Sequence, residues 1–378
     1  MRMCHVRLGS SAIWAGRALF LVACACGHGV ESAGSSELDD AKDPDSVSQR
    51  EIDLADSAAA PREALHFIGR FDFTTPDAPV FEWSGSAVWT RFAGTTISAR
   101  LDGSANDFEV EIDGVRRPVI THPGGDQTYV LASGLAPGQH DLKLTRRTEA
   151  FFSTSIFRGF SGARLIATPR PTRLIEMIGD SITCGYGVTG AGPGCSFSHD
   201  TEAETHAWGA LAAGQLGATH HAICWSGIGV FRNFADGAGP HMPELYGFIA
   251  PNERSGAWSF AVRPSAVVIN LNTNDFSLDV DPGQDFVNAM TAFVAQVRSH
   301  YPTTPIVLAG SPMLGGTQHT THKGYLDRVA RSDARTVVLD LAVQDGADGF
   351  GCDFHPSEIT AQKMADRLKA QLHALLGW

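Results

Sequence analysis

The chain has 378 residues, 43% hydrophobic and 19% charged, enough to bury one large or two medium cores, which rules out wholesale disorder. Its 29 basic and 41 acidic side chains leave a net charge of −12, which excludes a nucleic-acid binder, because that function needs a basic face to displace counterions. No apolar run reaches the ~18 residues a spanning helix needs, which argues against a membrane-spanning chain.

In chain order, residues 1–26 read as an export signal. Arg2, Arg7 and Arg17 stand without any acid before residue 31, and an apolar stretch runs from Ala18 through Leu21 and Val22. Leu21-Val22-Ala23-Cys24 resembles a bacterial lipobox, which would make Cys24 the lipidated mature N-terminus of a cell-envelope lipoprotein. The alternative is an ordinary cleavage site and a freely secreted protein. A membrane would then be met only through that anchor. Residues 27–62 form a Ser-, Asp- and Ala-rich acidic linker with too little apolar surface to offset its chain entropy. Residues 31–60 hold nine acids against Lys42 and Arg50, a net −7 against the +3 of residues 1–30, so −8 of the −12 remains from residue 61 onward.

Residues 63–168 alternate apolar and polar side chains in short stretches, as in Ser86 to Phe92 and Asp107 to Ile112, punctuated by Asp113-Gly114, Pro123-Gly124-Gly125 and Pro137-Gly138. That pattern predicts a small antiparallel sandwich. Residues 169–378 open at Pro169-Arg170-Pro171 and change rhythm. Strands are predicted at Leu174–Ile178, Thr219–Trp225, Ala266–Leu271, Pro305–Ala309 and Thr336–Leu341, with helices at His206–Leu216, Asp285–His300 and Glu358–Leu376. Alternation of this kind indicates an α/β domain with a mostly parallel sheet covered on both faces, in which ligands sit beyond the carboxyl ends of the strands. Of seven cysteines, Cys184, Cys195, Cys224 and Cys352 fall in the folded body. Cys184 and Cys195 bracket one loop and are the favoured disulfide, although connectivity is open and buried free thiols are an alternative.

Four strand ends carry chemistry: Ser181 in Gly179-Asp180-Ser181, Gly227 in Trp225-Ser226-Gly227, Asn274 beside Asp275, and His355 after the last strand. Each alone reads as a turn or a surface residue; together they describe acyl transfer. A serine hydroxyl becomes a nucleophile when an imidazole takes its proton. The tetrahedral intermediate then needs donors, here the N–H groups of Ser181 and Gly227 and the side-chain amide of Asn274. Ser181 also stands where a helix would start, adding the positive end of its dipole. The pairs His220-His221 and His319…His322 match no metal cluster with an acid partner, so no metal is expected.

These blocks are similar to the SGNH (GDSL-like) serine hydrolases, which supply Ser, Gly, Asn and His in this order. Gly179 through Gly187, Ser226 through Val230, Met242 through Tyr246 and Cys352 through Pro356 resemble carbohydrate esterase family 2, as do Phe67 through Phe71 and Arg146 through Ala150 in the front domain. The resemblance implies a three-layer hydrolase domain behind a jelly roll, removing acetyl groups from sugars such as those of acetyl-xylan, without a metal or organic cofactor. It departs at Asn272, where a Gly is usual, and at Cys352, three residues before the His, where most such enzymes place an Asp. Asp353 is therefore chosen as the acid that orients His355, the alternative being a Ser–His dyad steadied by a backbone carbonyl. Phe354, in the position where this family commonly has an aromatic, and Tyr186 are candidate sugar platforms. Arg232 and Asn233 are candidate polar lining, and Trp225 reads as core. The sandwich shows no obvious aromatic strip and is expected to wall the cleft rather than bind glycan itself. The competing functions are a general lipase or thioesterase and a non-catalytic carbohydrate-binding protein.

Overall fold

The computed structural model describes residues 62–378; the predicted signal, Cys24 and the linker up to residue 61 lie outside the described residues. The first domain is built from β1 (His66–Ile68), β2 (Val80–Phe81), β3 (Ala87–Ala93), β4 (Ile97–Gly103), β5 (Asn106–Ile112), β6 (Val115–Arg116), β7 (Ile120–His122), β8 (Gln127–Ala132), β9 (Gln139–Arg146), β10 (Ser155–Ser161) and β11 (Arg164–Ile166). They form two antiparallel sheets, one along the path β1-β3-β9-β5-β6 and the other in the order β2-β10-β4-β8. Inward-facing Phe92, Ile97, Leu101, Phe108, Val110, Leu142 and Phe157 make the core between them. Period-two alternation in the sequence is the cause, since each strand sends every second side chain to the same face.

The second domain carries five parallel strands: β12 (Leu174–Gly179), β13 (Thr219–Cys224), β16 (Ala266–Asn270), β17 (Ile306–Ala309) and β18 (Thr336–Leu339). A short hairpin of β14 (Phe248–Ala250) and β15 (Ser255–Ala257) precedes β16. The sheet order is β13-β12-β16-β17-β18. Its helices are α1 (Ser181–Cys184), α2 (Trp208–Gln215), α3 (Met242–Leu245), α4 (Gly283–His300), α5 (Gly316–Ala330) and α6 (Glu358–Leu376). Alternate strand residues feed opposite cores. Val267, Ile269 and Leu308 pack with Phe286, Met290 and Phe293 of α4 on one face. Val268, Val307 and Ala309 pack with Trp208 of α2 and with Met364 and Leu368 of α6 on the other. Buried on both faces, these strands read as continuous apolar runs, as a parallel sheet requires. The strands and helices predicted in this half agree with the observed ones to within a few residues; α3, α5 and the β14–β15 hairpin are additions.

Trp83 of the sandwich lies inside the hydrolase core. Arg70, just past β1, is fully buried, faces Glu176 of β12 across 3.8 Å, and donates to the carbonyls of Tyr246 and Phe248. The rings of Tyr246 and Trp258 stand 5.1 and 5.3 Å from its guanidinium. Tyr246 and Tyr301 both donate to the Glu176 carboxyl. Burial pushes Arg70 down and Glu176 up, and each opposes the other's shift. Sandwich and hydrolase thus share a core and a buried ion pair.

The disulfides correct the favoured pairing: Cys184 is bonded to Cys224, and Cys195 to Cys352. Parallel pairing sets Gly179 opposite Cys224, which brings the end of β13 beside α1. Chain proximity of Cys184 and Cys195 is outweighed by the register of neighbouring strands. No helix among the described residues is long and apolar enough to cross a membrane.

Candidate active site

Ser181 follows the carboxyl end of β12 and opens α1. Asp180 caps this turn: its carboxylate accepts the Ile182 N–H at 3.0 Å. Burial pushes the Asp180 carboxyl up to about 7. The helix is a single turn, ended by Gly185 at φ +78°. The electrostatic contribution expected from a helix dipole is therefore confined to the free N–H groups of this one turn.

His355 reaches the serine from the far end of the domain. Its Nε2 lies 2.8 Å from Ser181 Oγ, the geometry of a base waiting for a proton. Its Nδ1 faces the carbonyl oxygen of Cys352 at 3.2 Å. Asp353 is not the orienting acid, and here the expectation is corrected. Asp353 and Phe354 both adopt left-handed backbone, with φ of 50° and 62°, and the Asp353 carboxylate instead accepts the Tyr186 hydroxyl at 2.8 Å. Two consecutive left-handed residues turn that carboxylate toward Tyr186 and leave the Cys352 carbonyl to hold the imidazole. The contacts are those of a Ser–His pair whose imidazole is steadied by backbone. Burial lowers His355 to about 4, so the ring is neutral, as a base must be, through the ordinary pH range.

The loop carrying His355 is tied down by its surroundings. Cys352 is crosslinked to Cys195, its N–H donates to Gly187 O at 3.0 Å, and the Asp353 N–H donates to Cys195 O at 3.2 Å. Gly187 permits this approach, since a Cβ there would stand 2.7 Å from the Cβ of Cys352. The Tyr186 ring stacks on the His355 imidazole at 4.1 Å and on Phe197 at 4.2 Å.

Gly227 and Asn274 stand at the neighbouring strand ends. Neither the Ser181 nor the Gly227 N–H is used by a turn or loop hydrogen bond among the described residues. Gly227 has φ +77°, which a residue with a Cβ would adopt only under strain. Asn274 donates to Ile228 O at 3.0 Å, which fastens the third block to the second. Asp275, buried beside it, accepts the N–H groups of Val230, Phe231 and Arg232 at 3.1, 2.8 and 2.8 Å. Burial moves its carboxyl up to about 6, against those three bonds.

The remaining candidates divide. Phe354 is 58% exposed and Tyr186 half-buried. The Arg232 guanidinium is committed to the carbonyls of Asp275 and Val280, and Asn233 to Gly229 N–H and to the carbonyls of Gly237 and Pro240. Both brace the loop. Trp225 is half-buried, packed against the hydrolase core on one side and 5.9 Å from Phe151 on another. The sandwich does contribute aromatics, contrary to the expectation. Phe151 and Phe152 continue the row through Phe197 to Tyr186, with centroids 6.2 and 5.7 Å from Phe197. Period-two strand reading passed over them because they sit in a 3₁₀ turn, Ala150–Phe152. Of the other histidines, His220 is bonded to Glu204 at 2.6 Å, His319 faces Asp340 at 3.2 Å, and His322 accepts the Ser311 N–H.

Similarity to known proteins follows the same two halves. Residues 67–169 match the family described as carbohydrate esterase 2 N-terminal, and residues 177–373 the GDSL-like lipase/acylhydrolase family. The chain is 39% identical over 321 residues to the cellulase/esterase CelE of Acetivibrio thermocellus, covering 82% of this chain and 39% of that relative, so it spans well under half of that protein. It is 28% identical over 334 residues to an acetylxylan esterase / glucomannan deacetylase of Cellvibrio japonicus, covering 83% of this chain and 91% of the relative. Among solved structures, a family two carbohydrate esterase from Clostridium thermocellum in complex with cellohexaose superimposes with a TM-score of 0.81 at 38% identity, covering 83% of this chain and 99% of that one.

Proposed function

The chain belongs to carbohydrate esterase family 2, and on that premise we propose that it is a carbohydrate O-acetylesterase working through an acetyl-enzyme. The observation that carries this reading is the 2.8 Å contact between Ser181 Oγ and His355 Nε2 at the carboxyl end of the parallel sheet. Ser181 Oγ attacks the acetyl carbonyl while His355 Nε2 takes the hydroxyl proton. The C=O electrons pass to oxygen, where the N–H groups of Ser181 and Gly227 and the amide of Asn274 meet the charge. Collapse releases the sugar hydroxyl, protonated by His355. Water, deprotonated in turn by His355, then frees acetate and restores the serine.

The substrate class rests on the relatives named above and on the half-buried aromatics Tyr186, Phe197, Phe151 and Trp225 beside the dyad, since flat apolar faces suit pyranose rings. The test is release of acetate from acetylated xylan and glucomannan by purified protein. Turnover should fall about 10³-fold or more in Ser181→Ala. Full activity of that variant would overturn the mechanism, and a preference for long acyl esters would overturn the substrate class.

The same proposal includes export and anchoring through Cys24, supported by the basic and apolar N-terminus and by Leu21-Val22-Ala23-Cys24. Fatty-acid labelling in a bacterial host should mark the wild type and not Cys24→Ser; an unlabelled wild type would leave free secretion in its place.

A further inference from the structure

The sandwich places a carboxyl group under the oxyanion loop. Glu149 follows β9, is fully buried, and accepts the Ser226 N–H at 2.6 Å through one oxygen and the Ser226 hydroxyl through the other. Ser226 precedes Gly227, whose carbonyl is held on the far side by the Phe234 N–H at 2.8 Å. Ser226 and the peptide that follows it are therefore anchored from two directions, one of them belonging to the other domain.

The surroundings of Glu149 keep it an acceptor. From β9, the fully buried Arg146 guanidinium donates to the carbonyls of Thr148, Glu149 and Ser153 at 2.9, 2.7 and 2.7 Å. From the loop after Thr201, the fully buried Glu202 faces Glu149, and its own carbonyl takes the Arg147 Nε–H at 2.6 Å. Asp180 and Tyr186 are the other titratable groups that feel its charge. Two carboxyls buried together do not both ionise. Burial pushes Glu149 up to about 7, while burial and the Glu149 charge push Glu202 well up, so Glu202 holds the shared proton and can donate to Glu149. Without that proton both Glu202 oxygens would be buried without partners.

We propose that Glu149 is the positioning residue of the oxyanion hole, a carboxylate lent by the sandwich domain that fixes Ser226 and so aims the Gly227 N–H at the developing oxyanion. The inference rests on the esterase reading of Ser181 and explains why the hydrolase travels with a sandwich. It assigns Glu149 no contact with substrate. Loosening Ser226 should weaken transition-state binding more than ground-state binding.

The experiment compares kcat and KM for an aryl acetate in the full chain, in Glu149→Gln, in Ser226→Ala and in the double variant, with thermal melting of each. Glu149→Gln should lose about 10–100-fold in kcat with KM within about threefold, and the double variant should be no worse than Glu149→Gln alone. A folded Glu149→Gln with kcat within about threefold of wild type overturns the proposal. So does a loss confined to KM, or losses that multiply in the double variant. If Glu149→Gln does not fold, Ser226→Ala decides: lowered kcat at constant KM supports the proposal, and unchanged kcat overturns it. Absence of turnover in the wild type would instead sink the esterase reading, and this inference with it.

Discussion

Ser181 and His355 face each other across 2.8 Å but are held by opposite means. The serine is placed locally: a buried strand ends, Asp180 caps one helical turn, and Gly185 closes it within a handful of residues. The histidine is placed by groups remote in sequence. Its loop is crosslinked to Cys195 across 157 residues, threaded against Gly187, and covered by the ring of Tyr186. The oxyanion loop follows the second pattern, pinned by Asp275 and by Glu149 from the other domain. A serine on a strand end inherits its precision from the sheet, whereas the histidine must be supplied with it from elsewhere.

Cutting the Cys195–Cys352 crosslink should break this comparison most visibly. On the chain-entropy account, a loop of this length contributes about 5 kcal/mol to stability. Melting of Cys195→Ser/Cys352→Ser should therefore move down strongly. The His355 carbonyl partner belongs to Cys352 itself, so kcat should also fall about 10–100-fold through misplacement of the base. Kinetics and thermal melting of the oxidised wild type beside this variant provide the check. A variant that melts early but turns over normally would show that Gly187 and Tyr186 suffice to place the loop.

The local side is tested at Asp180. Asp180→Ala removes the cap bond to Ile182, at a cost of about 1 kcal/mol, and should lower kcat about tenfold with little change in KM. Asp180→Asn keeps an acceptor for the Ile182 N–H and should recover most of the activity. Equal damage from both variants would mean that charge, rather than capping, is what Asp180 supplies.

The acid limb of kcat/KM distinguishes burial from ionic pairing at the histidine. Burial lowers His355 to about 4, so the imidazole itself sets no acid limb until pH falls toward that value, whereas Glu149, raised to about 7, sets one earlier if its charge is what fixes Ser226. For stability the sign is the same. Between about 4 and the unfolded value of ~6.5 the unfolded chain binds the extra proton, so His355 favours folding increasingly as pH rises through that window. An acid limb near 6.5 or above that persists in Glu149→Gln would indicate that a carboxylate charges the ring.

Much of this was legible in the sequence, and the parts that were not have physical reasons. Strands of the parallel sheet show as β-branched runs such as Ala266-Val267-Val268-Ile269, and α6 shows by its periodicity. Helix α5 escapes a sequence reading because Gly316 through Lys323 is polar and the helix as a whole buries only His322, Leu326 and Val329. The four strand-end residues are each named by their own short block, and the structure brings Ser181 and His355 within 2.8 Å and ties Asn274 to the Gly227 block. Disulfide pairing, the role of Glu149 and the aromatic row could not be read, since they depend on which loops meet in space. Arg146 through Ala150 carried the family resemblance without revealing that its acid reaches Ser226, 77 residues on.

The smallest expected effect settles the point at which the residue pattern was most misleading. An acid two residues before the histidine suggests a triad, and loss of a true triad acid costs about 10⁴-fold in kcat. Here the Asp353 carboxylate accepts from Tyr186, and Tyr186 stacks on His355, so the acid acts on the base at one remove. Asp353→Asn retains an acceptor for that hydroxyl and should keep kcat within about threefold of wild type. Tyr186→Phe, which keeps the stacked ring and deletes the hydroxyl, should do the same. Steady-state kinetics on an aryl acetate distinguishes the cases, because losses of about 10⁴-fold and about threefold are not confused. A collapse in Asp353→Asn alone would return the acid to the base and convert the dyad into a triad. Similar mild losses in both variants would place the whole burden of orienting His355 on the carbonyl of Cys352, and through it on the crosslink.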